Sequence, residues 1–184
     1  AVLTATDITF EDTVGKSTFD LTLNSSGTTT IQGAVSGAGD LLTDSAGTTV
    51  LEADVAGDAI TLDDAVTLAG SVTLTGVTTL GGTVDATTVG KEGLAIVGDA
   101  WIESAVGSST ALNYLSASTT THIGANVTTS TLNSGSGDLT LTDATTLTAD
   151  STLTVPGTLI ALSVEGGYGF TVDSKDPQIG ATAN

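Results

Sequence analysis

The chain has 184 residues, enough for one domain that buries roughly 70% of the surface its unfolded form exposes. It contains no Cys, Met or Arg, only 3% aromatics, and a formal net charge of −18 from 21 acidic residues and three lysines. Those numbers exclude disulfide staples and an aromatic core, and they set aside nucleic acid phosphates and anionic membranes as partners.

Residues 1–26 hold two pieces of strand text, Ile8-Thr-Phe and Thr18-Phe-Asp-Leu-Thr-Leu, around a turn-like Asp12-Thr-Val-Gly-Lys. They read as an N-terminal strand or cap segment. The opening Ala1-Val-Leu-Thr-Ala-Thr lacks the basic start and apolar middle of a signal peptide, so the expectation is a secreted protein in mature form. No apolar run approaches the ~18 residues of a membrane helix, and no membrane insertion is expected.

From Gly27 the apolar beat is near ten, with Ile31, Leu41, Leu51 and Ile60 separated by Gly, Asp and Ser. From Ile60 to Thr83 it tightens to six. Ile60-Thr-Leu, Val66-Thr-Leu, Val72-Thr-Leu and Thr78-Thr-Leu follow one another, each closed by three small or acidic residues. In a strand alternate side chains face opposite ways, so the outer two residues of each triplet point inward and the middle threonine points out. Residues 85–100 interrupt the meter at Lys91-Glu-Gly. A longer unit then restarts, Gly27-Thr-Thr-Thr-Ile-Gln-Gly-Ala-Val aligning with Gly98-Asp-Ala-Trp-Ile-Glu-Ser-Ala-Val, which suggests an internal duplication of 27–75 in 98–154. The six-residue beat returns with Leu141, Leu147, Leu153 and Leu159. Residues 163–184 read as a C-terminal cap or tail.

Short flat sides separated by corners describe a single all-β domain, a parallel β-solenoid with its body at 27–162. Leu62, Leu68, Leu74, Leu80 and their four C-terminal counterparts are its expected core. At roughly 20 residues per coil, the body is about 35–45 Å long. The structural rival is an antiparallel β-sandwich with strand exchange, but sandwich strands recur every ~8–12 residues and a six-residue beat is too short for them.

The runs Gly27-Thr-Thr-Thr-Ile-Gln-Gly-Ala-Val, Asp58-Ala-Ile-Thr-Leu-Asp-Asp-Ala-Val-Thr-Leu and Ser134-Gly-Ser-Gly-Asp-Leu-Thr-Leu resemble the repeats of bacterial surface proteins of the filamentous-haemagglutinin-like and autotransporter-passenger-like kind. The resemblance is one of repeat style. It implies a right-handed parallel β-helix at the cell surface.

Few residues invite chemistry. Asp63-Asp64, with Asp54 and Asp58 nearby, supply hard oxygen ligands that offer Ca²⁺ a weak or bridging site, the competing reading being solvated turns. No other cofactor is expected. His122 is the only histidine, no nucleophile motif is present, and three scattered lysines give acidic polysaccharides nothing to meet. An enzyme is therefore not expected. Asn24-Ser-Ser and Asn126-Val-Thr match the N-glycosylation acceptor pattern. The Thr-x-Thr pairs would bind ice only if stacked on one face, and a six-residue spacing puts them on successive faces instead.

Four of the six aromatics lie near the termini, Phe10 and Phe19 at one and Tyr168 and Phe170 at the other, and only Trp101 and Tyr114 fall between. A solenoid must cover its open ends or offer them to neighbours. The leading expectation is a structural subunit of an extracellular filament or surface layer, a homo-polymer joined head to tail. Val2, Leu3, Ile8, Phe10, Tyr168 and Phe170 would form the subunit interface, with Ala1–Phe10 added as a strand to the adjoining copy. The alternative is an adhesin-type module that recognises a surface glycan or receptor.

Overall fold

The structure, a computed structural model, describes residues 1–37 and 39–179. The last residues of the expected tail, 180–184, lie outside the described residues. The chain winds as a parallel β-solenoid of about nine turns. Every strand pair named among the described residues is parallel, which rules out the antiparallel sandwich.

Each turn has three faces. Face I begins with Val2–Ala5, Leu21–Ser25 and Leu41–Thr43. Face II begins with Ile8–Phe10, Thr28–Ile31 and Thr48–Leu51. Face III begins with Val14–Ser17 and Val35–Gly37. The corner from face III to face I is bridged by continuous strands, such as Val55–Leu62 and Val72–Leu80, whose pairing slips between Thr75 and Val77 as the chain bends. One turn takes from 17 residues (Thr48 to Ala65) to 26 (Val127 to Leu153). At ~4.8 Å between stacked strands the stack is about 40 Å long.

The six-residue lines are the three faces in rotation. Ile60-Thr-Leu lies on face I, Val66-Thr-Leu on face II and Val72-Thr-Leu on face III, and Thr78 then lands beside Ile60 one turn on. All eight expected core leucines are buried, none more than 4% exposed. They join Ile31, Ile60, Val84, Ile96, Ile102 and Ile123 in one aliphatic core running the length of the stack. The middle threonines, Thr61, Thr67, Thr73 and Thr79, stand half-buried on the outside. Thr140, Thr146 and Thr152 fall on faces III, I and II respectively.

The restarted unit keeps the rhythm of the first without its place in the coil. Ile31 lies on face II but Ile102 on face I, and Ile60 on face I but Leu139 on face III. Longer corners between faces II and III carry the extra residues of the middle turns. The segment around Gly90 stacks on the one around Leu132, where Asn133 donates its side-chain amide to the Val89 carbonyl at 3.0 Å.

Candidate functional sites at the corners, the ends and face I

Corners leave backbone N–H groups without ladder partners, and short acidic or amide side chains fill that need. Asp7 accepts from the Thr28 amide (2.8 Å), Asp20 from Asp40 (3.0 Å), Asp40 from Ala59 (3.1 Å), and Asp54 from Thr73 (2.7 Å). Asp85, Asp138 and Asp150 do the same for Thr110, Thr158 and Gly169. Asn113 and Asn126 accept from Ser136 and Thr152 at 2.6 and 2.8 Å. In each case the acceptor lies one turn before the donor, so these side chains rivet successive turns together.

This geometry separates the four aspartates offered for calcium. Asp54 stands at a corner between faces II and III, riveting Thr73. Asp58 is exposed between faces III and I, and Asp63 is exposed between faces I and II. Asp64, next to Asp63, points inward and is only 3% exposed. Among the described residues no group of three or more His, Asp or Glu is placed to hold a metal ion. Asp64 instead accepts from the hydroxyls of Thr43 (2.8 Å) and Thr49 (2.7 Å), while the Thr43 hydroxyl accepts from the Asp63 amide. Burial pushes the Asp64 carboxyl above its ordinary value, the Thr49, Thr43 and backbone hydrogen bonds pull it down, and the Asp44 charge adds to the rise. Its environment is therefore structural: a polar knot inside an aliphatic core.

Lys16 is a second inward polar group. It is 6% exposed and donates its ammonium to the carbonyl of Gly37, at 3.0 Å, and to that of Gly39. Its short neighbours Gly15 and Ser17 gave no alternation from which an inward lysine could be read.

Among the described residues, no strand pairs beyond the first turn or beyond the last. At the first turn, Leu3 is 40% and Val2 65% exposed, while Ile8 is buried and Phe10 packs partly against the core. The Ala1–Phe10 segment is no free arm: Val2–Ala5 is already paired with Leu21–Ser25 of its own chain, Leu3 opposite Leu23. Within the single chain this segment forms a first turn seated on the second. At the last turn, Phe170 and Val172 pack partly on the core of face II, Ile179 does so on face III, and Tyr168 sits 52% exposed at the preceding corner. The six residues expected at the interface therefore divide between opposite ends of one stack.

Face I carries the one stacked aromatic pair among the described residues. Trp101 and His122 stand side by side on adjacent turns, their rings stacked with centroids 3.6 Å apart and 10° between planes. The two residues are 21 apart, one turn of the coil, and only the coil length makes that separation meaningful. Of the two glycosylation candidates, Asn24 is half-buried on face I beside Thr4, and Asn126 is the exposed rivet to Thr152.

Fold and repeat style together define the class: a parallel β-solenoid built of short three-sided turns. Within that class, no protein-family model matches the chain, and no curated protein or solved structure matches it.

Proposed function

We propose that this chain is a structural unit of an extracellular filament or surface layer, of the β-strand-repeat surface-protein kind, and that copies join head to tail by stacking end turns. The observation that supports it is the phase of the first and last described turns. Following the pairs turn by turn, the column of Ile8 runs through Thr49, Val84 and Val127 to Val172. The column of Val14 runs through Val55, Leu74 and Leu141 to Ile179. A second copy set on the last turn brings Ile8 against Val172 and Val14 against Ile179, and its backbone extends the unpaired ladder. Such a contact uses different surfaces on the two copies and does not close, so it propagates as a fibre. The resemblance in repeat style is what supports extracellular placement.

Electron microscopy and sedimentation of the purified chain test the reading. The expected result is unbranched filaments that lengthen with protein concentration and with salt, since ions screen the −18 charge. Val172→Asp should give folded monomers. A sample that stays monomeric at every concentration and ionic strength overturns the proposal.

A further inference from the structure

The outer surface of face I has a step in it. The outward column reads Leu42, Thr61, Thr79, Trp101, His122, Thr146, in register from turn to turn. Trp101 is 38% exposed and His122 stacks against one side of its ring. The other side looks along the face over Thr79 and Thr61, whose side chains are far shorter than an indole, so the outer part of that ring surface stands free above them. One column over, Gly81 stands between the exposed residues Asp63 and Glu103 with no side chain of its own. Leu80 pairs with Leu62 and Ile102, and the residues that follow these three are therefore neighbours. The Asp63 carboxylate reaches the space a Gly81 side chain would fill, 2.6 Å from the position of an added Cβ. Val77, 44% exposed, edges the opposite side.

We propose that this trough binds an uncharged pyranose unit of a glycan, a role separate from end-to-end assembly. A sugar ring has an apolar C–H face and a rim of hydroxyls, and the trough offers a complement to each. The free indole face takes the C–H face, with the ring held upright by His122. The carboxylates of Asp63 and Glu103 accept hydrogen bonds from adjacent sugar hydroxyls, and the Thr61 and Thr79 hydroxyls form a floor that either donates or accepts. The turn spacing of ~4.8 Å makes Asp63 and Glu103, two turns apart, wide enough to span one ring. The same carboxylates and the surrounding negative charge turn away uronic acids and sialylated glycans.

Trp101 is the only tryptophan, so its emission reports on this site alone. Neutral trisaccharides with glucose, galactose or N-acetylglucosamine units would be titrated into the intact chain at low protein concentration, with an oligogalacturonate as the charged arm. The expected result is a saturable change in emission with at least one neutral series and none with the oligogalacturonate. By calorimetry, Trp101→Ala should weaken that binding by about tenfold or more, with an unchanged melting temperature because the side chain lies outside the core. His122→Ala, which leaves the indole in place but unsupported, should weaken it less. The proposal falls if no neutral trisaccharide perturbs Trp101 up to its solubility, if the oligogalacturonate binds as well, or if binding survives Trp101→Ala. None of these outcomes depends on whether filaments form.

Discussion

Asp64 offers the sharpest test of how the interior is held. The carboxyl sits among aliphatic side chains and accepts from two threonine hydroxyls. Because burial raises its pKa, the folded chain takes up a proton at a higher pH than the unfolded chain, whose ordinary value is 3.8. Above the raised value the folded state carries the full cost of a desolvated charge. As pH falls through it towards 3.8 that cost is relieved, and below 3.8 nothing further changes. Within the window the relief amounts to about 1.4 kcal/mol per pH unit. Asp64→Asn keeps the shape and an acceptor oxygen but never ionises. Subtracting wild type from Asp64→Asn therefore isolates this group from the general acid titration. The variant should melt higher than wild type at neutral pH, at about 2–4 °C per kcal/mol for a chain of this size, and the gap should close in acid. Asp64→Ala should be the worst of the three near pH 4. It strands the fully buried Thr49 hydroxyl and leaves a void, at a cost of about 2–4 kcal/mol. Melting followed by circular dichroism between about pH 3 and pH 7 makes the measurement. A difference that stays flat, or that widens as pH falls, refutes the reasoning.

Three further outcomes follow from the same geometry. Leu74, fully buried between Val55 and Ile96 of adjacent turns, should cost about 2–5 kcal/mol as Ala, and Leu74→Asp should leave no folded protein, both read from chemical denaturation. Asp54→Ala should cost about 1 kcal/mol and speed amide exchange at Thr73, whereas Asp54→Asn keeps the rivet and should restore both. Gly76 has φ +137° and an added Cβ would run into the Gly57 carbonyl, so Gly76→Ala should destabilise by roughly 1–3 kcal/mol or more. Gly15→Ala, with nothing within 4 Å of the new atom, should leave the melting temperature unchanged.

What could be read in advance follows from how closely local rhythm tracked the coil. Between Ile60 and Thr78 one turn is 18 residues, three lines of six, so each line is one face and the inward leucines declare themselves. Earlier the beat looked like ten because Ile31 and Leu51 lie on face II and Leu41 and Ile60 on face I. Face III contributes only Val35 and Val55 between them, too thin a signal to count as a third beat. Matched triplets of 27–75 and 98–154 lie on different faces for the same reason: similar triplets serve every face, so likeness of text does not fix a place in the turn. The candidate sites were less legible than the fold. Asp63 and Asp64 look alike in sequence, yet alternation sends one outward and the other into the core. Trp101 and His122 become neighbours only through a turn length of 21, which their local sequence does not state.

The charge of the chain also has a structural origin. Of its 21 acidic residues, 16 are Asp and five are Glu. The rivets explain the preference. An acceptor at a corner must reach the amide one rung away, about 4.8 Å, with few torsions to fix, and the Asp carboxylate does this with one fewer than Glu. Asn113 and Asn126 make the same bond without charge, so the rivet needs an oxygen and not an anion. Seven of the 16 Asp make such rivets, so part of the negative charge is a by-product of corner chemistry, with a second consequence at the ends. An uncharged stack with open ladders would join its neighbours indiscriminately, whereas copies carrying −18 each repel until salt screens them. Under the proposed end-to-end joining, the residues that hold one turn to the next also set the ionic strength at which one copy meets another.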